Sequence, residues 1–236
     1  NPNSCYASQV PTATWNLVCT ASSTSCTGPT DDDIIYNCTF PLWFVTDPTD
    51  VGTPWAADNW VASVAGVDDD SAVGSLVTSS IGQELISFVA LDLITATIPY
   101  GGLEPGQDTG TLSATTTILA VGNTALDQEN TGESMCGTYT VATECPVSLT
   151  STVPENRQKF ASSSLSYASG FATSLSSSTY QEIELNVTKT TSTSTPNQGI
   201  SYWGIAVPAS ITLAGSYTGL NTFSAARSEV GAGQGW

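Results

Sequence analysis

The stretch Glu182-Ile-Glu-Leu-Asn-Val-Thr188 decides the fold class. Apolar Ile183, Leu185 and Val187 alternate with polar Glu182, Glu184 and Asn186, and a period of two marks a strand with one face on a core and the other in water. Working outward, segments 200–207 and 217–225 on one side, and 85–98 and 111–121 on the other, are rich in β-branched and large apolar residues. Turn residues separate them: Pro99, Gly101, Gly102, Pro105 and Gly106 follow the first, and Pro208 ends the segment that begins at Ile200. Many short strands between turn signals predict an all-β chain, a β-sandwich or jelly roll, rather than a parallel α/β sheet.

The N-terminal third reads differently. Residues 1–82 hold four of the six cysteines and four of the six tryptophans (Trp15, Trp43, Trp55, Trp60), with short strand candidates at 14–20, 34–40 and 60–66. The expectation is a single domain over 1–236, in which a disulfide-bearing, loop-rich region (1–82) precedes the sandwich core (83–236). The Ser/Ala/Thr-rich segments 162–179 and 190–196 read as loops, and in an exported protein they would suit O-glycans.

Composition narrows the function classes. Only Arg157, Lys159, Lys189 and Arg227 are basic against 21 acids, giving a formal charge of −17. Such a surface repels phosphate backbones and anionic lipid, which argues against nucleic-acid partners and electrostatic membrane binding. No apolar run reaches the roughly 18 residues of a membrane span, so membrane insertion is not expected. The start, Asn1-Pro2-Asn3-Ser4, reads as a processed N-terminus.

Six cysteines without a single histidine favour disulfides and an oxidising, extracellular location. Zinc is the competing reading, but Cys5, Cys19, Cys26, Cys38, Cys136 and Cys145 form no C-x-x-C pair. Six cysteines allow 15 pairings. Cys136–Cys145 is the expected short bridge, with Cys5, Cys19, Cys26 and Cys38 pairing among themselves.

Catalytic chemistry is hard to assemble from these residues. A Ser-His-Asp or Cys-His arrangement needs the histidine the chain lacks. A carboxylate pair could be sought among Glu182, Glu184, Asp92 and Glu104, yet Glu182 and Glu184 are most simply the wet face of a strand. No enzyme activity and no cofactor are therefore expected. For calcium, Asp68, Asp69 and Asp70 and the Asp47/Asp50 loop are the places to look, although none has the spacing of a known calcium loop. Asn37-Cys-Thr39 and Asn186-Val-Thr188 are N-glycosylation sequons, and the alternation would turn Asn186 outward as the better acceptor.

Two segments carry a resemblance. Ile98-Pro-Tyr-Gly-Gly-Leu-Glu-Pro-Gly-Gln107, followed by a Thr-rich strand and Gly122-Asn-Thr-Ala-Leu-Asp127, resembles a pattern of secreted prokaryotic β-sandwich domains, shared in looser form by TasA-like and camelysin-like surface fibre proteins. Tyr202-Trp-Gly-Ile-Ala-Val-Pro208, continuing to Ala214-Gly-Ser-Tyr-Thr-Gly-Leu-Asn-Thr-Phe223, resembles the closing strands of prokaryotic cell-surface sandwich domains. The resemblance spans about residues 85–225 and marks architecture rather than chemistry. It implies either a filament subunit that lends a strand to its neighbour or a module of a cell-wall protein.

The leading expectation is a structural subunit of an extracellular filament or surface layer, a homopolymer joined by donor-strand or edge-strand pairing. Segment 11–21 is the first candidate donor and the tail after Ala225 the second. The alternative is an adhesin or carbohydrate-binding module contacting surface glycans through an aromatic platform or a calcium-bearing loop.

Overall fold

A computed structural model describes residues 18–21, 35–39, 44–65, 70–95, 97–147, 150–192 and 194–236. The described chain runs through strands β1 (Val18–Ala21), β2 (Tyr36–Thr39), β3 (Ser63–Val64), β4 (Val77–Thr78), β5 (Leu91–Leu93), β6 (Ala114–Ala120) and β7 (Leu126–Gly132). It continues through β8 (Met135–Cys136), β9 (Thr152–Val153), β10 (Gln158–Ala161), β11 (Thr173–Ser174), β12 (Gln181–Val187), β13 (Gln198–Ile205) and β14 (Asn221–Arg227). A 3-10 turn at Glu155–Arg157 leads into β10. Among the described residues no helix is long and apolar enough to cross a membrane.

Two antiparallel sheets make the body. The larger has strand order β11-β10-β13-β6-β5 and the smaller β12-β7-β14. Their inner faces pack on each other as a β-sandwich. Ile118 and Ala120 of β6 meet Leu126 of β7 and Val187 of β12 at one end. Phe160 of β10 and Trp203 of β13 meet Ile183 of β12 and Phe223 of β14 at the other. Trp203 is fully buried, stacked on Phe160 with ring centroids 4.8 Å apart and tilted against Phe223 at 5.6 Å.

The alternation over 182–188 holds: Ile183 and Val187 are buried while Glu182 and Glu184 are exposed. It breaks at Asn186. The register with β7 shifts between Ile183 and Val187, and Asn186 takes a left-handed backbone with φ of 51°. Asparagine tolerates that conformation better than a β-branched residue. The bulge leaves Asn186 half-buried with its side-chain oxygen shielded from solvent, so it does not face freely outward as the plain alternation predicts.

The central strand of the small sheet, β7, carries no apolar alternation. Two of its core-facing side chains, Gln128 and Asn130, are amides with no exposed area. They are kept by hydrogen bonds: the Gln128 amide donates to Asn130 Oδ1 at 3.0 Å and to Ser201 Oγ at 3.1 Å. Ser201 and Thr116 share a further bond at 2.6 Å, and the Trp203 indole N–H donates to both hydroxyls. A polar seam therefore runs between the sheets beside the aromatic cluster.

Segment 85–98 is not one long strand. Only Leu91–Leu93 pair regularly with β6, while the chain on either side is tied by single bonds, Asn123 N–H to the Phe88 carbonyl and Ile94 N–H to the Thr117 carbonyl. The N-terminal region contributes two separate ribbons, β1 with β2 and β3 with β4. The loop 44–56 is stitched to the sandwich through the Lys189–Asp47 ion pair at 2.8 Å and the Arg227–Asp50 contact at 3.5 Å.

Candidate functional site

The two segments that carry the resemblance meet at one place. Residues of the 98–105 turn and of the 205–217 stretch together line an apolar hollow of about 700 Å³, with Tyr100, Leu103, Met135, Ile205, Val207 and Leu213 among its walls. A second hollow of about 250 Å³ shares Ile98, Tyr100, Met135 and Tyr217 with it and extends the groove to Leu220 and Phe223 at the start of β14. Pro99, Gly101 and Gly106 make the sharp turn that forms part of the wall, the two glycines at φ of 78° and 85°.

β14 lies at the edge of the small sheet, paired with β7 on one side only, and the described residues supply no strand beyond it. The smaller hollow thus reaches the start of β14, at Asn221 and Phe223, on a strand whose far side pairs with no other strand among the described residues. At its floor the Tyr100 hydroxyl donates to Gln158 Oε1 at 2.9 Å, and the Asn221 amide donates to the same oxygen at 2.9 Å. Burial pushes the Tyr100 phenol above its ordinary range, with the neighbouring Asn221 opposing and Tyr167 adding to the shift. Asn221 Oδ1 is itself buried without a hydrogen-bond partner.

The expected short bridge forms: Cys136 and Cys145 are disulfide-bonded. Cys136 also exchanges backbone bonds with Thr218 at 2.9 and 3.1 Å, which fastens β8, and with it Met135, to the segment leading into β14. The disulfide therefore braces one wall of the groove. Cys38 is disulfide-bonded too, and the β1–β2 register sets the backbone of Cys19 across from it. Cys5 and Cys26 lie outside the described residues.

A carboxylate cluster that the sequence did not signal forms on the other side of the small sheet. Asp127, Glu184 and Glu229 bring carboxylate oxygens within 4.8 Å of one another. Asp127 is fully buried, its oxygens accepting from the Asn186 backbone N–H at 2.7 Å and from Ser228 Oγ. Partial desolvation, then the charges of Asp127 and Glu229, hold the Glu184 carboxyl above its usual range. Glu182 is raised for the same first reason, with Asp127, Glu184, Glu129 and Glu229 adding to it, and Glu129 is its direct cross-strand neighbour. Three carboxylates at this spacing could hold a hard cation. Glu182 and Glu184 do occupy the wet face that the alternation assigned them.

The remaining predicted sites fall elsewhere. Asp68 and Asp69 lie outside the described residues, and Asp70 is exposed. Asp47 is engaged by Lys189, and Asp50 accepts from the Ser87 backbone at 3.0 Å and hydroxyl at 2.7 Å as well as facing Arg227. Asp92 and Glu104 are exposed and stand on separate segments. Asn37 is the exposed sequon asparagine and Asn186 the half-buried one, the reverse of the ranking that the alternation suggests. Trp15 and Trp43 are outside the described residues. Trp60 is half-buried and donates to the Asp47 carbonyl. Trp236 packs edge-on against Trp55 of its own chain at 6.0 Å and donates to the carbonyls of Ser228 and Glu229, so the tail docks intramolecularly.

Comparison with protein-family models, with curated proteins and with solved structures returns no match. The resemblance to surface fibre proteins therefore rests on the quoted motifs alone.

Proposed function

We propose that this chain is a structural subunit of an extracellular filament or surface layer, joined to copies of itself by addition of a strand along β14. The observation that carries this reading is the apolar groove that reaches the start of β14, an edge strand among the described residues. A strand laid there would gain main-chain hydrogen bonds from the edge and bury alternate side chains in the hollow. Monomeric soluble proteins seldom leave an open edge and an apolar groove side by side, because the pair invites association.

Two further features agree. The outer row of the segment around β5 exposes Ile86, Phe88 and Ile94, and Val64, Leu76 and Val77 on or beside the β3–β4 ribbon are more than half exposed. Apolar surface on that scale suits contact between packed copies. The aromatic platform that the adhesin alternative needs finds less support: Trp203 is buried, and Trp55, Trp60 and Trp236 are half-buried and engaged within the chain.

The reading is tested by placing a charge in the groove. Val207→Glu should leave the far-UV and near-UV circular dichroism unchanged and abolish sedimentable assemblies. Assemblies of normal size from this variant would exclude the groove as the joint.

A further inference from the structure

We infer that the strand filling the groove is residues 12–17 of a second copy of this chain, an assignment that rests on the strand-addition reading above. Thr12-Ala-Thr-Trp-Asn-Leu17 alternates strictly, with Ala13, Trp15 and Leu17 on one side and Thr12, Thr14 and Asn16 on the other. That is the pattern of a strand with one face in an apolar hollow and the other in water. Six residues in extended form span about 20 Å, and successive inward side chains stand about 7 Å apart. The two adjoining hollows, of about 700 and 250 Å³, offer apolar space for a bulky side chain such as Trp and a smaller one such as Leu.

Position and charge narrow the choice. Residues 1–17 lie outside the described structure and end where β1 begins, so the segment precedes a strand already committed to β2. Val18–Ala21, the last part of the 11–21 donor predicted from sequence, is used within its own chain. The other predicted donor is excluded by its contacts: β14 is a sheet strand through Arg227, and the tail beyond it is held by Trp55 and by the Lys189 N–H bond to the Gly235 carbonyl.

Residues 1–17 contain no charged side chain at all. Among the side chains lining both hollows only Glu104 is charged. Two molecules of charge −17 repel, and the contact that joins them is best made between their neutral parts.

The test mixes two full-length variants. Trp15→Glu removes the donor face and Val207→Glu the acceptor face, and each alone should remain monomeric in sedimentation velocity with unchanged near-UV circular dichroism. Mixed in equal amounts they should give a discrete 1:1 dimer that grows no further, because one intact strand meets one intact groove. Thr14→Glu, on the outward face of the same segment, should assemble as the unaltered chain does and controls for misfolding. Normal assembly by Trp15→Glu while Val207→Glu stays monomeric overturns the donor assignment and leaves strand addition standing. Assembly by Val207→Glu removes the groove reading itself. An unaltered chain that stays monomeric, and in which only Trp15→Glu exposes the groove to an apolar dye, places the segment in its own chain's groove and overturns the inference.

Discussion

Lys189 shows how one side chain holds a loop to the sandwich. It is nearly fully buried, pairs with Asp47 at 2.8 Å, donates to the Val45 carbonyl at 2.6 Å and lies 5.9 Å from the Trp55 ring centre. Lys189→Met removes the buried ammonium that pairs with Asp47 and donates to the Val45 carbonyl. It should cost about 2–3 kcal/mol in urea unfolding, less than for a fully buried ion pair because Asp47 is a quarter exposed. Glu184 acts in the opposite sense. Its carboxyl titrates above the ordinary value of 4.5, so the folded state holds its proton more tightly than the unfolded chain does. The associated stability is fully present below about 4.5 and is lost as pH rises through the raised folded value. Glu184→Gln should therefore raise the melting temperature at pH 7 and change it little at pH 4, as read by thermal circular dichroism. At this scale the sequence showed the wet face of β12 but not the cluster. Asp127 and Glu229 come from other parts of the chain, and no local pattern announces that β7 lies beside β12.

Among the elements, β12 was legible because its alternation is apolar and clean, whereas β7 was hidden. Gln128 and Asn130 occupy positions where Val or Leu would be expected, held by a bond to each other and one to the Ser201 hydroxyl, while Gln128 Oε1 and Asn130 Nδ2 are buried without a partner. The 85–98 segment was overread for the converse reason. Its apolar residues are strand-like, yet outside Leu91–Leu93 only single hydrogen bonds, to β6 and to the turn that follows it, replace a continuous ladder. Of the groove, the sequence displayed both walls as separate motifs, but not that they meet or that β14 is an edge strand among the described residues. The Cys136–Cys145 bridge was legible from spacing, and its role at the groove follows from the Cys136–Thr218 bonds. Replacing both cysteines by serine should lower stability by about 2.5 kcal/mol, from the closure entropy of so short a loop. It should also weaken assembly beyond that loss, which comparison of sedimentable fractions at matched folded fraction would detect.

For the whole molecule, scarcity of bases shapes behaviour more than abundance of acids. Two of the four cations, Lys189 and Arg227, are spent on Asp47 and Asp50 within the chain, which leaves the molecule a strongly negative body. Assembly should accordingly strengthen as salt rises from 10 to about 150 mM, where the Debye length shortens to about 8 Å. In the proposed assembly, the groove and the β14 edge join copies of this chain. Negative-stain electron microscopy of the native extracellular material, with mass spectrometry of whatever assemblies are seen, tests it most directly. Regular filaments or sheets composed of this chain are the expected result. A strictly monomeric protein at high concentration and physiological salt would contradict it.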